Sequence, residues 1–446
     1  MNHRGTYRIY FLGIGGIGMS ALARYYYHQG AEVSGYDRTP SPLTKQLEDE
    51  GMAIHYEDNP VLLPALIDKV IYTPAVPNDL KEIAEIKRRG LTITKRAVAL
   101  GEISKNHFTI AIAGTHGKTT TTAMTAHILH TCGHDTTAFI GGIANNFNSN
   151  LLLGNGLGST LVVEADEFDR SFLQLAPEIS VINAIDADHL DIYGDRQHLV
   201  DGFNSFAQLT QGPVIVKEGL DVKADRILRF GFGENCDYKA EIQKTEEGIT
   251  DFCIIAEGVT TPVTLPLAGN HNVLNATAAF AAARQIGLEP NEIAQALSSF
   301  RGVKRRFDVH IRTKEHIYID DYAHHPEEIK SCLSAIRASF PNRTVTLVFQ
   351  PHLFTRTRDF MEEFAESLAM ADNLILLDIY PAREKPIEGI DSQALLEKVN
   401  LNHKSLCPKE QLLELIDERR PELLVTMGAG DIDRFVEPLK KMMSQW

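Results

Sequence analysis

Eight residues, Gly114-Thr115-His116-Gly117-Lys118-Thr119-Thr120-Thr121, join an apolar run, Phe108–Ala113, to a helical pattern, Thr119–Thr131. No other segment limits the possible folds as much. A strand that turns through glycines into a helix leaves successive backbone N–H groups aimed at one spot, and such a nest holds an anion. Lys118 can reach the β- and γ-phosphates of a nucleotide, and the Thr119 hydroxyl is placed for Mg²⁺. The strict phosphate-loop pattern has a further glycine at position 112, where this chain has Ile112, so the loop is a shortened variant. A strand–loop–helix unit of this kind belongs to α/β folds with a parallel sheet. The expected class is an ATP-using enzyme.

A second glycine turn lies near the start. Tyr7–Leu12 reads as a strand, Gly13-Ile14-Gly15-Gly16-Ile17-Gly18 as a turn, and Ile17–Gly30 as a helix, with Asp37 ending the next strand, Glu32–Gly35. Gly13, Gly15, Gly16 and Gly18 let the backbone approach a diphosphate, with Asp37 as a further candidate for the same ligand. Alone, the turn would suit an NAD-dependent oxidoreductase, but that reading leaves Gly114–Thr121 unexplained. Arg4 and Arg8 before Ile9–Ala23 imitate a signal peptide, yet glycines crowd the apolar stretch. No run of about 20 apolar residues suggests a membrane helix.

At 446 residues the chain has room for three domains, since about 150 residues per domain is usual. We place them at 1–106, 107–304 and 305–446, with links near Thr94–Asn106 and Arg301–Arg306 where charges gather. Strands are expected at Val70–Tyr72, Thr160–Glu164, Ile179–Ile185, Pro213–Val216, Ile317–Asp320, Thr344–Phe349, Asn373–Leu377 and Leu423–Thr426. Asp237–Pro266 reads as a small antiparallel patch, and Asn272–Ile286 as an Ala-rich helix. The net charge of −15 opposes non-specific nucleic-acid binding, which needs a basic surface. Five scattered cysteines with no C-x-x-C pair read as reduced thiols of a cytoplasmic protein.

Further polar clusters fall at predicted strand ends. Glu164-Ala165-Asp166-Glu167 and Asp186-Ala187-Asp188-His189-Leu190-Asp191 offer carboxylates and an imidazole suited to Mg²⁺ or Mn²⁺. Asn272 and Asn275 open the Ala-rich helix three residues apart, with amides that suit the edge of an adenine. The last third carries Lys304-Arg305-Arg306, Asp320-Asp321-Tyr322-Ala323-His324-His325-Pro326, Gln350-Pro351-His352 and Arg356-Thr357-Arg358.

In this order the motifs G-I-G-G-I-G-M-S, G-T-H-G-K-T-T-T, E-A-D-E, D-A-D-H-L-D, G-N-H-N-V-L-N-A, R-R-F-D, D-D-Y-A-H-H-P and F-Q-P-H resemble the Mur ligase family of peptidoglycan synthesis. The resemblance spans essentially the whole chain. It implies a Rossmann-like N-terminal domain, a central P-loop ATPase domain and a Rossmann-like C-terminal domain. It also implies the branch that adds L-alanine to UDP-N-acetylmuramate. The rival within the family is a recycling ligase that adds a preformed tripeptide.

Residue by residue, the resemblance implies that Gly13, Gly15, Gly16, Gly18, Met19, Ser20 and Asp37 hold the UDP-sugar. Gly114, Thr115, His116, Gly117, Lys118, Thr119 and Thr120 would hold ATP, with Asn272 and Asn275 on adenine, Arg306 on the γ-phosphate and Asp321 on the ribose. Thr119, Glu164 and His189 would hold magnesium. His325, His352 and Arg356 would meet the incoming amino acid. Lys118, Glu164, His189 and Arg306 form the implied catalytic set. A cytoplasmic monomer or weak homodimer, with no nucleic-acid or membrane partner, completes the expectation. Two positions depart from the family pattern: Ala184, with Asn183 one place earlier, where relatives carry Asn, and Leu353, where relatives often carry Arg.

Overall fold

The structure is a computed structural model, which describes residues 7–156, 158–186, 196–382 and 384–446. Its chain forms two compact units: residues 1–241, 253–263 and 274–301, and residues 242–252, 264–273 and 302–446.

The first unit begins with β1 (Arg8–Leu12), β2 (Glu32–Tyr36), β3 (Ala53–His55), β4 (Lys69–Tyr72) and β5 (Ile93–Lys95), in the order β3-β2-β1-β4-β5. All pairs are parallel. The order reverses between β1 and β4, and ligands of such sheets bind beyond the carboxyl ends at that switch. Helix α1 (Ile17–His28) leaves the turn after β1.

A second sheet comprises β6 (Thr109–Ala113), β7 (Thr136–Ala144), β8 (Ser149–Leu152), β9 (Thr160–Glu164), β10 (Ile179–Ile182), β11 (Val214–Lys217), β12 (Ile227–Gly231), β13 (Tyr238–Glu246), β14 (Ile249–Ala256) and β15 (Val259–Leu265). Its order is β15-β14-β13-β12-β11-β10-β6-β9-β7-β8. Strand β6, wholly buried, is flanked in parallel by β9 and β10 and feeds helix α2 (Lys118–Thr131). A continuous apolar run such as Ile110–Ala113 marks a strand covered on both faces.

One apolar core serves both sheets of this unit. Phe11, Met19 and Leu22 belong to the same cluster as Phe139, Val163 and Phe172. Phe172 stacks on Phe206 with ring centroids 5.0 Å apart, and each fully buried Phe contributes roughly 1.5–3 kcal/mol. Arg24, only 7% exposed, joins this core. Its guanidinium donates to Glu50 at 2.8 and 3.0 Å and to Asn150 Oδ1 at 2.8 Å.

The charged stretch expected to be a link is structured. Arg96–Ser104 is a helix, with Ala99, Leu100 and Ile103 buried at helical spacing. A Cβ on Gly101 would lie 2.3 Å from the Gln174 carbonyl oxygen, so only glycine allows that approach. Charges on the outer face concealed the apolar stripe.

The second unit holds β16 (Asp308–Arg312), β17 (Ile317–Asp321), β18 (Val345–Phe349), β19 (Asn373–Leu376), β20 (His403–Leu406) and β21 (Leu423–Met427). Their order is β16-β17-β21-β18-β19-β20. Only β16 runs antiparallel to its neighbour; the remaining pairs are parallel.

Candidate functional site

In the first unit, the turn after β1 is shaped by Gly13 at φ +82°, where a Cβ would meet Thr73 Cγ2 and Val76 Cγ2 at 2.9 Å. The Gly15 amide donates to Asp37 Oδ2 at 2.8 Å, so Asp37 sets the loop's shape. Gly16, Gly18 and Met19 line a cleft of about 320 Å³ that also reaches Thr73, Arg96 and Glu164. Arg96 Nη2 donates to Asp166 Oδ2 at 3.2 Å. Ser20 turns inwards: it is fully buried, and its hydroxyl donates to the Ile17 carbonyl and accepts from Asn150.

The phosphate loop lies between the ends of β9 and β10. Gly114 at φ +133° passes so close to the next strand that a Cβ would stand 2.8 Å from the Ala184 nitrogen. Thr115 N donates to the Ala184 carbonyl at 3.0 Å, and Asp186 N to Thr115 Oγ1 at 3.1 Å. His116 Nε2 lies 3.6 Å from Asp186. Gly117, at φ +79°, precedes α2, and the following Thr119 and Thr120 are both 8% exposed.

Lys118 donates to the Gly114 carbonyl at 2.7 Å and to the fully buried Glu167 at 2.9 Å. Burial works against its charge, but Glu167, Asp166 and Glu164 together outweigh that, and its pKa is raised. Thr119 Oγ1 donates to the Glu164 carboxylate, 3.0 and 3.2 Å from its two oxygens, and the Gly141 amide donates to Glu164 Oε2 at 2.9 Å. A hydroxyl and a carboxylate, both hard oxygen donors, fit a magnesium ion that keeps several waters. His189 lies outside the described residues.

Behind the loop, Asn183 donates to Thr121 Oγ1 at 2.9 Å, and Thr121 donates to Asn275 Oδ1 at 3.2 Å. A Cβ on Gly117 would stand 2.5 Å from Asn275 Oδ1. Asn275 therefore buttresses the turn it was expected to serve only through adenine. Asn183, although one place early relative to the family pattern, is bound into the same network.

In the second unit, the loops at the carboxyl ends of β17, β18, β19 and β21 gather the remaining candidates. Asp321 accepts from Phe307 N at 2.6 Å and Ala323 N at 2.7 Å. Arg305, at φ +63°, donates to the buried Asp320 at 3.0 Å. The Arg305 and Arg306 guanidinium carbons lie 5.2 and 5.1 Å from the Tyr322 ring centroid, at cation–π distance. His352 stacks on Tyr380 at 5.7 Å, and His325 packs edge-on against Phe360 at 4.7 Å. Arg356 lies on the short helix Phe354–Asp359, near enough for its charge to act on His352. Leu353 caps that helix at φ +71°, a conformation that costs of order 1–3 kcal/mol in a non-glycine residue. Asn272 donates to the Ala268 carbonyl at 2.8 Å.

Titration of this unit has a defined sign. Burial, then Arg306, pushes His271 down to about 4. Burial, then His324 and Arg356, does the same to His352, also to about 4. Between that value and the ordinary 6.5, the unfolded chain holds more protons at both sites, so stability falls as pH falls. Burial raises Asp321 from 3.8 to about 6, which acts in the opposite sense between those values. Two histidines outweigh one carboxyl at pH 5 by about 2 kcal/mol. Calorimetry should show a thermal midpoint roughly 4–8 °C lower at pH 5 than at pH 7. A midpoint that stays level or rises would refute this assignment.

Arg96, Gly141 and Thr73 were not singled out in the sequence. Gly141-Gly142 after the apolar run Thr137–Ile140 was the available signal for the second of them. Nothing local marks Arg96 as facing the cleft.

Three family models match in succession: the Mur ligase family catalytic domain over residues 8–108, the Mur ligase middle domain over 112–283, and the Mur ligase glutamate ligase domain over 305–430. A UDP-N-acetylmuramate–L-alanine ligase of Cytophaga hutchinsonii is 47% identical over 459 residues, covering 100% of this chain and 98% of its own. The protein of that name from Flavobacterium psychrophilum is 47% identical, with both chains covered in full. Among solved structures, the UDP-N-acetylmuramate-alanine ligase of Thermotoga maritima superposes with a TM-score of 0.84 at 28% identity, covering 98% of this chain and 99% of its own. A murein peptide ligase of Psychrobacter arcticus shares the fold, with a TM-score of 0.74 at 24% identity and 99% of each chain covered. With its motifs, its three sheets and its full-length likeness in agreement, the chain belongs to the Mur ligase family.

Proposed function

We propose that this chain is an ATP-dependent ligase that joins L-alanine to the lactyl carboxylate of UDP-N-acetylmuramate in peptidoglycan precursor synthesis. The observation that carries the reading is one cleft that runs from Gly16 and Gly18 to Glu164, whose carboxylate bonds Thr119 of the phosphate loop. A nucleotide sugar on the first loop and ATP on the second would have their reacting ends at that carboxylate. Full-length relatives with this activity support the choice over the tripeptide-adding branch.

The chemistry follows from charge. A carboxylate resists attack by an amine, so the lactyl oxygen first attacks the γ-phosphorus of ATP; an acyl phosphate forms and ADP leaves. The alanine amine then attacks the acyl carbon, forming the amide; phosphate departs with the bonding electrons and takes up the proton that the nitrogen loses. Lys118 offsets the repulsion between the two anions, and the loop N–H groups hold the phosphate oxygens. Thr119 and Glu164 would hold Mg²⁺, which supplies further positive charge at the phosphates when bound. Arg306 is the candidate for the γ-phosphate, Asp321 for the ribose, and His325, His352 and Arg356 for the amino acid. We assign nucleotide sugar, ATP and amino acid to segments 1–106, 107–304 and 305–446 respectively.

Gly141 gives a specific check on Glu164. An added Cβ would stand 2.1 Å from Glu164 Oε2, so Gly141→Ala must move that carboxylate. Turnover should fall about 10- to 100-fold, the scale for misplacing a reacting group by about 1 Å, with little change in thermal midpoint. Unchanged turnover at every Mg²⁺ concentration would remove Glu164 from the centre.

The decisive assay is phosphate release from MgATP with UDP-N-acetylmuramate, with and without L-alanine, and with the stem tripeptide in its place. Release that needs the nucleotide sugar and is stimulated by L-alanine establishes the reading. Stimulation by tripeptide alone moves the chain to the recycling branch, and release indifferent to both overturns the ligase assignment.

A further inference from the structure

The loops described in the second unit lie at the carboxyl ends of its parallel strands. At the opposite edge, where β18, β19, β20 and β21 begin, a cleft of about 660 Å³ opens among Thr344, Asn373, Lys404, Arg419, Arg420 and Glu422. Ligand pockets commonly have volumes of about 300–1,000 Å³.

The cations in this cleft have no acidic partner among the described residues. Lys404 Nζ donates to the Leu396 and Val399 carbonyls at 2.8 and 2.7 Å, and an ammonium has one more proton to give. Among the described residues, Arg419 Nη2 donates only to Ser405 Oγ, at 3.5 Å. Arg420, held at φ +41°, lies over the Trp446 ring at 5.6 Å. Glu422, the one carboxylate in the wall, accepts from Thr344 N at 3.0 Å. The chain has 59 acidic residues against 44 Lys and Arg, so three such cations facing one cavity run against its overall balance.

A simpler account exists for part of this. Arg419 ends the helix Leu412–Arg419, and Arg420 caps it, so both complement its dipole. That account also covers Lys404, whose two carbonyl partners end the helix Ser392–Lys398, but it does not explain the cavity.

We propose that this cleft is a second anion site, separate from the phosphate loop, for a small ligand carrying two or more phosphate groups. Guanidinium forks match phosphate oxygens, and the neutral walls, Thr344 and Asn373 among them, offer hydroxyl and amide donors. Among the described residues no Phe, Tyr or Trp lines the cleft to receive a base; His403, the one ring in its wall, is exposed, and Trp446 is already packed against Arg420 and His316. Recognition therefore falls on the phosphate chain.

The single tryptophan reports on this site, because Trp446 touches Arg420. Tripolyphosphate should be titrated into the Lys118→Ala protein, in which the phosphate loop is a weaker competitor, with Trp446 emission and calorimetry as readouts. Saturable binding is expected, weakened at least about tenfold by adding Arg419→Glu, the scale for one charge-assisted contact. Arg420→Gln, read by calorimetry alone, provides a second variant. ADP binding as tightly as tripolyphosphate would support the site with nucleotide tails as the source; binding of tripolyphosphate alone would support it with inorganic chains. Absence of heat, or heat that neither substitution reduces, overturns the proposal.

Discussion

Lys118→Ala is expected to lower turnover at least about 10²-fold, the loss associated with one transition-state electrostatic contact. The structure makes the interpretation stricter than the motif alone does. Lys118 is also the partner of the fully buried Glu167, and stranding a buried charge costs about 3–5 kcal/mol. A lower thermal midpoint should therefore accompany the loss. Lys118→Met, which keeps the aliphatic stem, should lose as much activity, and ATP at saturation should restore neither variant. Near-wild-type turnover in a folded Lys118→Met protein would take the ammonium out of the reaction.

Glu164→Ala should have an effect of similar size by a different route. Its carboxylate is the point where Thr119 of the phosphate loop and the Gly141 amide converge. Without it, turnover should drop about 10²-fold or more. The Mg²⁺ concentration for half-maximal rate should rise by at least about tenfold, as even outer-shell substitutions achieve at metal sites. The metal titration separates this from the lysine: Lys118→Met should leave the Mg²⁺ midpoint nearly in place. A Glu164→Ala enzyme with an unshifted midpoint would assign the carboxylate to positioning Thr119 alone.

Both residues were legible in the sequence, because a phosphate loop is a local device. Its glycines, lysine and threonine are adjacent, and the strand before them is apolar at every position but Thr109. The predicted strand Thr160–Glu164 matches β9, which explains why Glu164 could be placed at a strand end. Partnerships across the sheet were not legible. That Glu167 would hold Lys118, or that Asn183, Thr121 and Asn275 would form one network, depends on β6 lying between β9 and β10. No spacing along the chain encodes that order. Short strands also escaped, among them Ala53–His55 and Ile93–Lys95, which are too brief and mixed in character to show an alternation. The helix Arg96–Ser104 was hidden by its charged flanks, and Arg96 in the cleft was hidden with it.

The shared core of the first unit bears on how such enzymes can be recombined. Successive sheets invite the idea of interchangeable modules joined near residue 106. Yet Arg24 reaches Asn150 across that junction, and Asn150 in turn donates to the Ile17 carbonyl and to Ser20. Tyr25 packs against Phe139 with ring centroids 5.5 Å apart. A chimera cut there would inherit a severed interior, with a guanidinium facing foreign apolar side chains. Grafting the N-terminal third of a relative onto this body would require the α1 face to be transplanted together with β7 and β8, so the heritable module is the pair.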